Sequence, residues 1–199
     1  MAWLQDQLSS HFAQHVRNPK LWIKTAENLM SAAELLASEI EQFWKNLDAL
    51  DSGSSMPVSS MVGSQYQSIF MMLHGFAIEN LCKAYTATKL CGMELLSLRM
   101  GRLPRRLKTH NLDYLVTKGI GLVVDNGEKE LLKRLEAAVT WAGRYPVSTG
   151  PIDQKKQEIK EQMLGMPQGL RGDDLVRTRH LVARIKEQVH LKLDGVRKV

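Results

Sequence analysis

The chain has 199 residues, with 27 Lys and Arg against 21 Asp and Glu, a net charge of +6 and a sequence pI of about 9.4. Its 44% hydrophobic and 24% charged content is that of a globular domain and excludes wholesale disorder. No run approaches the ~20 apolar residues that span a bilayer, Met1 to Ser10 has no secretory leader pattern, and Cys82 and Cys91 are too few for a disulfide scaffold or a zinc site. The expectation is a soluble, cytoplasmic protein with no membrane partner, no metal and no cofactor.

Residues 1–17 read as an N-terminal helical arm, with Leu4, Leu8 and Phe12 at i, i+4 and i+8. Asn18-Pro19 is a helix start, an N-cap followed by proline at the first helical position. From there Trp22, Ala26, Leu29, Ala33, Leu36, Ile40, Phe43 and Leu47 recur at spacings of three and four. That is one apolar stripe on a helix of about 30 residues, roughly 45 Å long. Asp51 to Pro57 is expected to be a flexible connection. A second long helix is predicted from about Ser64 to Cys91, stopped by Gly92; its apolar arc is wide, so it should be the most buried.

A basic connection holding Pro104 then leads to a short helix from about Asn111 to Lys118, ended by Gly119. Strand signals are weak everywhere, and Ile120 to Val124 is the best of them. A helix from about Gly127 to Gly143 places Leu131, Leu135, Ala138 and Ala142 on one face, widened by Leu132, Val139 and Trp141, until Arg144-Tyr145-Pro146 breaks it. Residues 153–164 read as a solvated helix and 165–172 as a loop. Asp173-Asp174 open a final helix carrying Leu175, Val182, Ile185 and Val189. The fold class is all-α, with an arm over 1–17, a helical core over 18–150, and a charged segment plus a C-terminal helix packing on it over 151–199.

Charge is unevenly spread. Met93 to Lys118 holds six basic and two acidic residues, and Arg171 to Val199 holds eight and four, so each segment carries +4 while the rest sums to −2. Two basic segments on a nearly neutral body suit an anionic partner, because phosphate affinity follows local charge. Aromatic residues are missing from both apart from Tyr114, which argues against a base-stacking platform.

Three stretches in order carry a family resemblance. Leu73-His74-Gly75-Phe76-Ala77-Ile78-Glu79-Asn80-Leu81-Cys82-Lys83-Ala84 pairs a Glu and a Lys four residues apart among small and apolar residues. Thr109-His110-Asn111-Leu112-Asp113-Tyr114-Leu115 has a His, polar, Leu helix opening, and Ala142-Gly143-Arg144-Tyr145-Pro146 ends a helix. Together they resemble the central helix, the third-helix opening and the Ala-Arg-Tyr-Pro helix end of the HEPN family (higher eukaryotes and prokaryotes nucleotide-binding). The resemblance implies an antiparallel helical bundle with long first and second helices and extra terminal helices. It also implies a homodimer that binds a nucleotide or RNA phosphate, in a toxin–antitoxin or phage-defence system. Glu79, Lys83, Arg105, Arg106, His110, Arg144 and Tyr145 are the candidate ligand-binding residues.

Active members of that family are metal-independent endoribonucleases with an Arg followed four to six residues later by a His at the start of a late helix, the His in proton transfer and the Arg on phosphate charge. Arg184 and His190 match that spacing on the final helix, although six residues place them about 120° out of register. Arg105 and His110 match it in the basic connection. Plainer roles stand beside these. Glu79 and Lys83 have the spacing of a helix surface pair worth about 0.2–0.5 kcal/mol, His74 that of a hydrogen-bonded core histidine, and His110 or Asn111 that of a cap. Arg144 complements a helix end, and the ten Met residues fill the core. A protein-interaction subunit using the N-terminal arm and long helices on a protein partner is the reading from a different class.

Overall fold

A computed structural model describes the backbone of residues 2–50, 62–142 and 172–197, with side-chain surroundings over 7–46, 66–140 and 172–196. Among the described residues the chain is helical with no strand. Helix α1 spans Ala2–Arg17 and α2 spans Pro19–Leu50. The break between them falls at Asn18, whose side chain accepts the Lys20 N–H at 3.1 Å while Pro19 occupies the first turn, where a missing N–H costs nothing. Helix α3 covers Val62–Thr88.

Two α2–α3 contacts give the direction of this hairpin. Trp44 Nε1–H donates to Gln67 Oε1 at 3.1 Å, and Glu34 lies 3.8 Å from His74. As one helix rises in number the other falls, so the pair is antiparallel. The α2 stripe faces inward as its period requires: Ala26, Ala33, Ala37 and Ile40 are buried, with Trp22, Leu29 and Leu36 packed beside them. Small alanines along that seam let α3 approach closely.

Helix α3 ends at Thr88, whose hydroxyl bonds the Tyr85 carbonyl at 2.7 Å. Gly92 therefore does not stop it. With φ of 50°, Gly92 caps the start of α4, Met93–Arg99. The stretch expected as a plain connection also holds α5, Arg105–Lys108. Each of these short helices buries one leucine, Leu98 and Leu107, in a small cluster with Val16, Ala87 and Leu90, and α1 docks on the same cluster through Phe12 and Ala13. Too few turns for a readable period, α4 and α5 exist because of that contact.

Helix α6, Leu112–Tyr114, is capped by Asn111, whose side chain accepts the Tyr114 N–H at 2.7 Å, and continues as a π-turn over Leu115–Gly119. Ile120 to Val124, the best of the weak strand signals, is a connection, in keeping with the all-α reading. No edge is available to pair with it, and Ile120 and Val124 turn into the helical core instead. Asp125 and Glu128 form a reciprocal capping box that starts α7, Asn126–Ala137, which also runs into a π-turn, Ala138–Ala142. Gly75 of α3 lies where α7 crosses: a Cβ there would overlap Val139 Cγ2 and sit 3.0 Å from the Leu135 carbonyl oxygen.

The last helix, α8, spans Asp174–Arg197 and buries Leu175, Leu181, Val182, Ile185 and Val189 against the hairpin. Arg179 holds Glu34 at 2.6 Å and Lys186 holds Glu27 at 2.8 Å, so α8 runs antiparallel to α2. Arg134 of α7 reaches Asp174 at the start of α8, at 2.5 Å with Asp174 fully buried. Residues 51–57, 153–164 and most of 165–172, expected as a connection, a solvated helix and a loop, lie outside the described residues.

Candidate functional site

Glu79 and Lys83 point from α3 toward the segment that leads into α6. Both are buried, 6% and 4% exposed, which corrects the expectation of a surface pair. Lys83 Nζ donates to Glu79 Oε1 at 2.6 Å, and His110 Nδ1 lies 2.8 Å from Glu79 Oε2. A carboxylate only accepts, so the imidazole is the donor and Nδ1 carries the proton. His110 reaches in from a half-exposed position, with 50% of its side chain open to solvent. Its Nε2 has no partner among the described residues.

Local structure aims this histidine. Because Asn111 takes the capping role, His110 is free of it. Thr109 Oγ1 accepts the Asn111 N–H at 3.1 Å, and Leu112, wholly buried, donates its N–H to Glu136 Oε2 of α7 at 2.8 Å. His110 is thereby pinned between a capped helix and a neighbouring one. Beneath it, burial pushes the Cys82 thiol well above its ordinary range, and the Glu79 charge adds to that; the thiol stays protonated and is no nucleophile.

The basic residues of this face follow from α5. Leu107 anchors that helix, leaving Arg105, Arg106 and Lys108 exposed just before His110. Arg106 leans on Glu94 at 3.4 Å, whereas Arg105 and Lys108 make no ion pair among the described residues. Five of the seven sequence-derived ligand candidates thus share one region: Glu79, Lys83 and His110 in direct contact, with Arg105 and Arg106 close by in the chain. Arg144 and Tyr145 lie outside the described residues.

Arg184 and His190 are not brought together. The Arg184 guanidinium is taken up by Glu128 and by the Val123 carbonyl at 3.1 Å, fastening α8 to the capping box of α7. His190 is exposed on α8 with no bond among the described residues.

His74, one α3 turn before Glu79, is a core histidine. Nδ1–H donates to the Phe70 carbonyl at 3.1 Å, and Nε2 stands 3.8 Å from Glu34. Burial, the largest cause, holds its pKa below the ordinary 6.5 against the raising effects of the Phe70 bond and Glu34; Arg179 lowers it further. Sequence reading missed the Glu34–Arg179–Glu41 cluster over it, since Arg179 is 145 residues from Glu34 and no periodicity links them.

Among the described residues no group of three His, Cys, Asp or Glu side chains is placed to hold a metal ion, and no helix is long and apolar enough to cross a membrane. Compared with family models, with curated proteins and with solved structures, the chain finds no match.

Proposed function

We propose that the chain is a HEPN-like helical domain, acting as a homodimer, that binds the phosphate of a nucleotide or of RNA at the His110 face, in a toxin–antitoxin or phage-defence setting. The observation that carries this reading is His110 fixed by Nδ1 on a buried carboxylate that Lys83 already neutralises. Once protonated, His110 gives the trio a net charge of +1 and offers Nε2–H outward as a donor, with the exposed Arg105 and Lys108 close by in the chain. Phosphate oxygens fit that set of donors, and a fixed histidine loses little side-chain entropy on binding.

The same geometry favours a second reading in which the site is a metal-independent endoribonuclease. A neutral His110 with Nδ1–H on Glu79 presents an Nε2 lone pair to solvent, the arrangement of an oriented general base. In that case the histidine is His110 rather than His190, because Arg184 is already engaged elsewhere.

Labelled single-stranded RNA, with and without EDTA, tests both. Binding should weaken in Arg105→Gln/Lys108→Gln, with the salt slope of log K falling by about 1.4 at ~0.7 per lost phosphate contact. Binding that ignores this double substitution would remove the reading. Cleavage that survives EDTA and disappears in His110→Ala would establish the nuclease.

A further inference from the structure

A second basic surface lies on the opposite side of α3. Tyr85 is two residues past Lys83, which is about 200° around the helix, so the Tyr85–Lys89 face points away from the His110 site. There α1, the end of α3 and α4 enclose an open trough of about 850 Å³ whose lining includes Arg17, Arg99 and Thr88. A second trough of about 450 Å³ adjoins it, between α3 and α8, with Lys89 and Lys192 along its sides. Val196 of α8 lines both, so they are neighbours on the surface.

The chemistry of this surface is one-sided. Among the described residues no Asp or Glu lines either trough, and the polar remainder there is Ser, Gln, Asn and Thr. Arg17, Lys89, Arg99 and Lys192 are all exposed and make no ion pair among the described residues. Glu94, on the same short helix as Arg99, faces Arg106. Four cations along a surface with no acid among its described lining residues repel one another, and an anion relieves that. They are also spread two to each trough instead of converging on one point, which suits a chain of phosphates better than a single one.

We propose that this double trough is a binding site for the phosphodiester backbone of a single-stranded nucleic acid, separate from the His110 face. The two basic segments of the sequence meet in it, one through Arg99 and the other through Lys192, and Arg17 and Lys89 complete it. Tyr85 is the only aromatic residue among its described lining residues, and Lys89 stands over that ring at 5.6 Å from the centroid. Binding therefore rests on phosphates more than on stacked bases, and its dependence on salt is steep. With four contacts the slope contributed is about −2.8, so affinity falls about 50-fold between 50 and 200 mM salt from this surface alone.

The test is fluorescence anisotropy of a labelled oligouridylate ten nucleotides long, titrated at several salt concentrations. The proteins are the wild type, Arg17→Gln/Arg99→Gln, Lys89→Gln/Lys192→Gln and Arg105→Gln/Lys108→Gln. These side chains are exposed, and thermal melts confirm that each variant is folded. Each trough pair should make the slope about 1.4 shallower, leaving about sevenfold loss where the intact surface gave about 50-fold. Unchanged slopes in both trough variants, with a shallower one in Arg105→Gln/Lys108→Gln, overturn the trough and leave the His110 site standing. The reverse pattern supports the trough and removes the His110 reading. No binding by the wild type overturns both. Inorganic polyphosphate that competes as well as the oligonucleotide, at equal phosphate, overturns the assignment to nucleic acid.

Discussion

Lys83 and Glu79 stand one turn apart on α3, a spacing that contributes only tenths of a kcal/mol when both side chains are in water. Here both are buried and the carboxylate also accepts from His110, so losing one partner has a different cost. Lys83→Met should leave a buried carboxylate short of its charge partner and destabilise the fold by about 3 kcal/mol, read as a lower urea midpoint. Adding Glu79→Gln should recover part of that loss, since the orphaned charge is gone. His74 makes a pH-dependent contribution of predictable sign. Its folded pKa lies below 6.5, so the unfolded chain binds the proton first as pH falls. The stability it supplies is complete above pH 6.5 and is lost as pH drops toward the folded value. Glu34 and Arg179 face it and oppose each other in this, but burial dominates. Wild type should therefore lose more stability between pH 7.5 and 5 than His74→Gln does; equal losses in urea melts would refute the assignment.

At the scale of helices, α3 is the element through which all the others are arranged. It meets α2 along the alanine seam, α8 on a second side, and α7 at Gly75. Gly75 is required by space, since its backbone is ordinary helix and only the approach of Leu135 and Val139 forbids a side chain. Gly75→Ala should push α7 outward and cost about 1–3 kcal/mol by overpacking, with the thermal midpoint as readout. Because Glu136 of α7 holds the Leu112 N–H next to His110, the same substitution should also weaken RNA binding at the His110 face. Helix α1 belongs to a separate, smaller apolar cluster, tied to α2 by the Trp22 indole N–H on the Val16 carbonyl at 2.8 Å. It thus forms one bank of the basic trough without contributing to the main core.

Across the whole molecule, the all-α class and the inward faces of α2, α7 and α8 were legible from periodicity, because a stripe at 3.6 residues has to be buried whatever it packs against. The Asn18-Pro19 start was equally legible, since capping and the missing proline N–H act within a few residues. Short helices α4 and α5 were not, because four to seven residues hold too little period to read. Ile120 to Val124 gave only a weak strand signal for a related reason: β-branched residues look the same whether they pair with a strand or fill a gap between helices. Of the candidate site, Glu79, Lys83 and His110 were singled out by the family resemblance, and Arg105 and Arg106 by the basic segment that holds them. Their arrangement was not legible, nor was the Arg17, Lys89, Arg99 and Lys192 surface, whose members are scattered over most of the chain. Local interactions are written in neighbouring residues, so composition, helix starts, apolar faces and the two basic segments are properties of the sequence alone. Burial of a charge pair, the meeting of His110 with Glu79 across 31 residues, and the placing of Arg99 and Lys192 on neighbouring troughs depend on which helices pack together. Only the tertiary structure decided those, because desolvation and through-space charge follow distance in space and not along the chain.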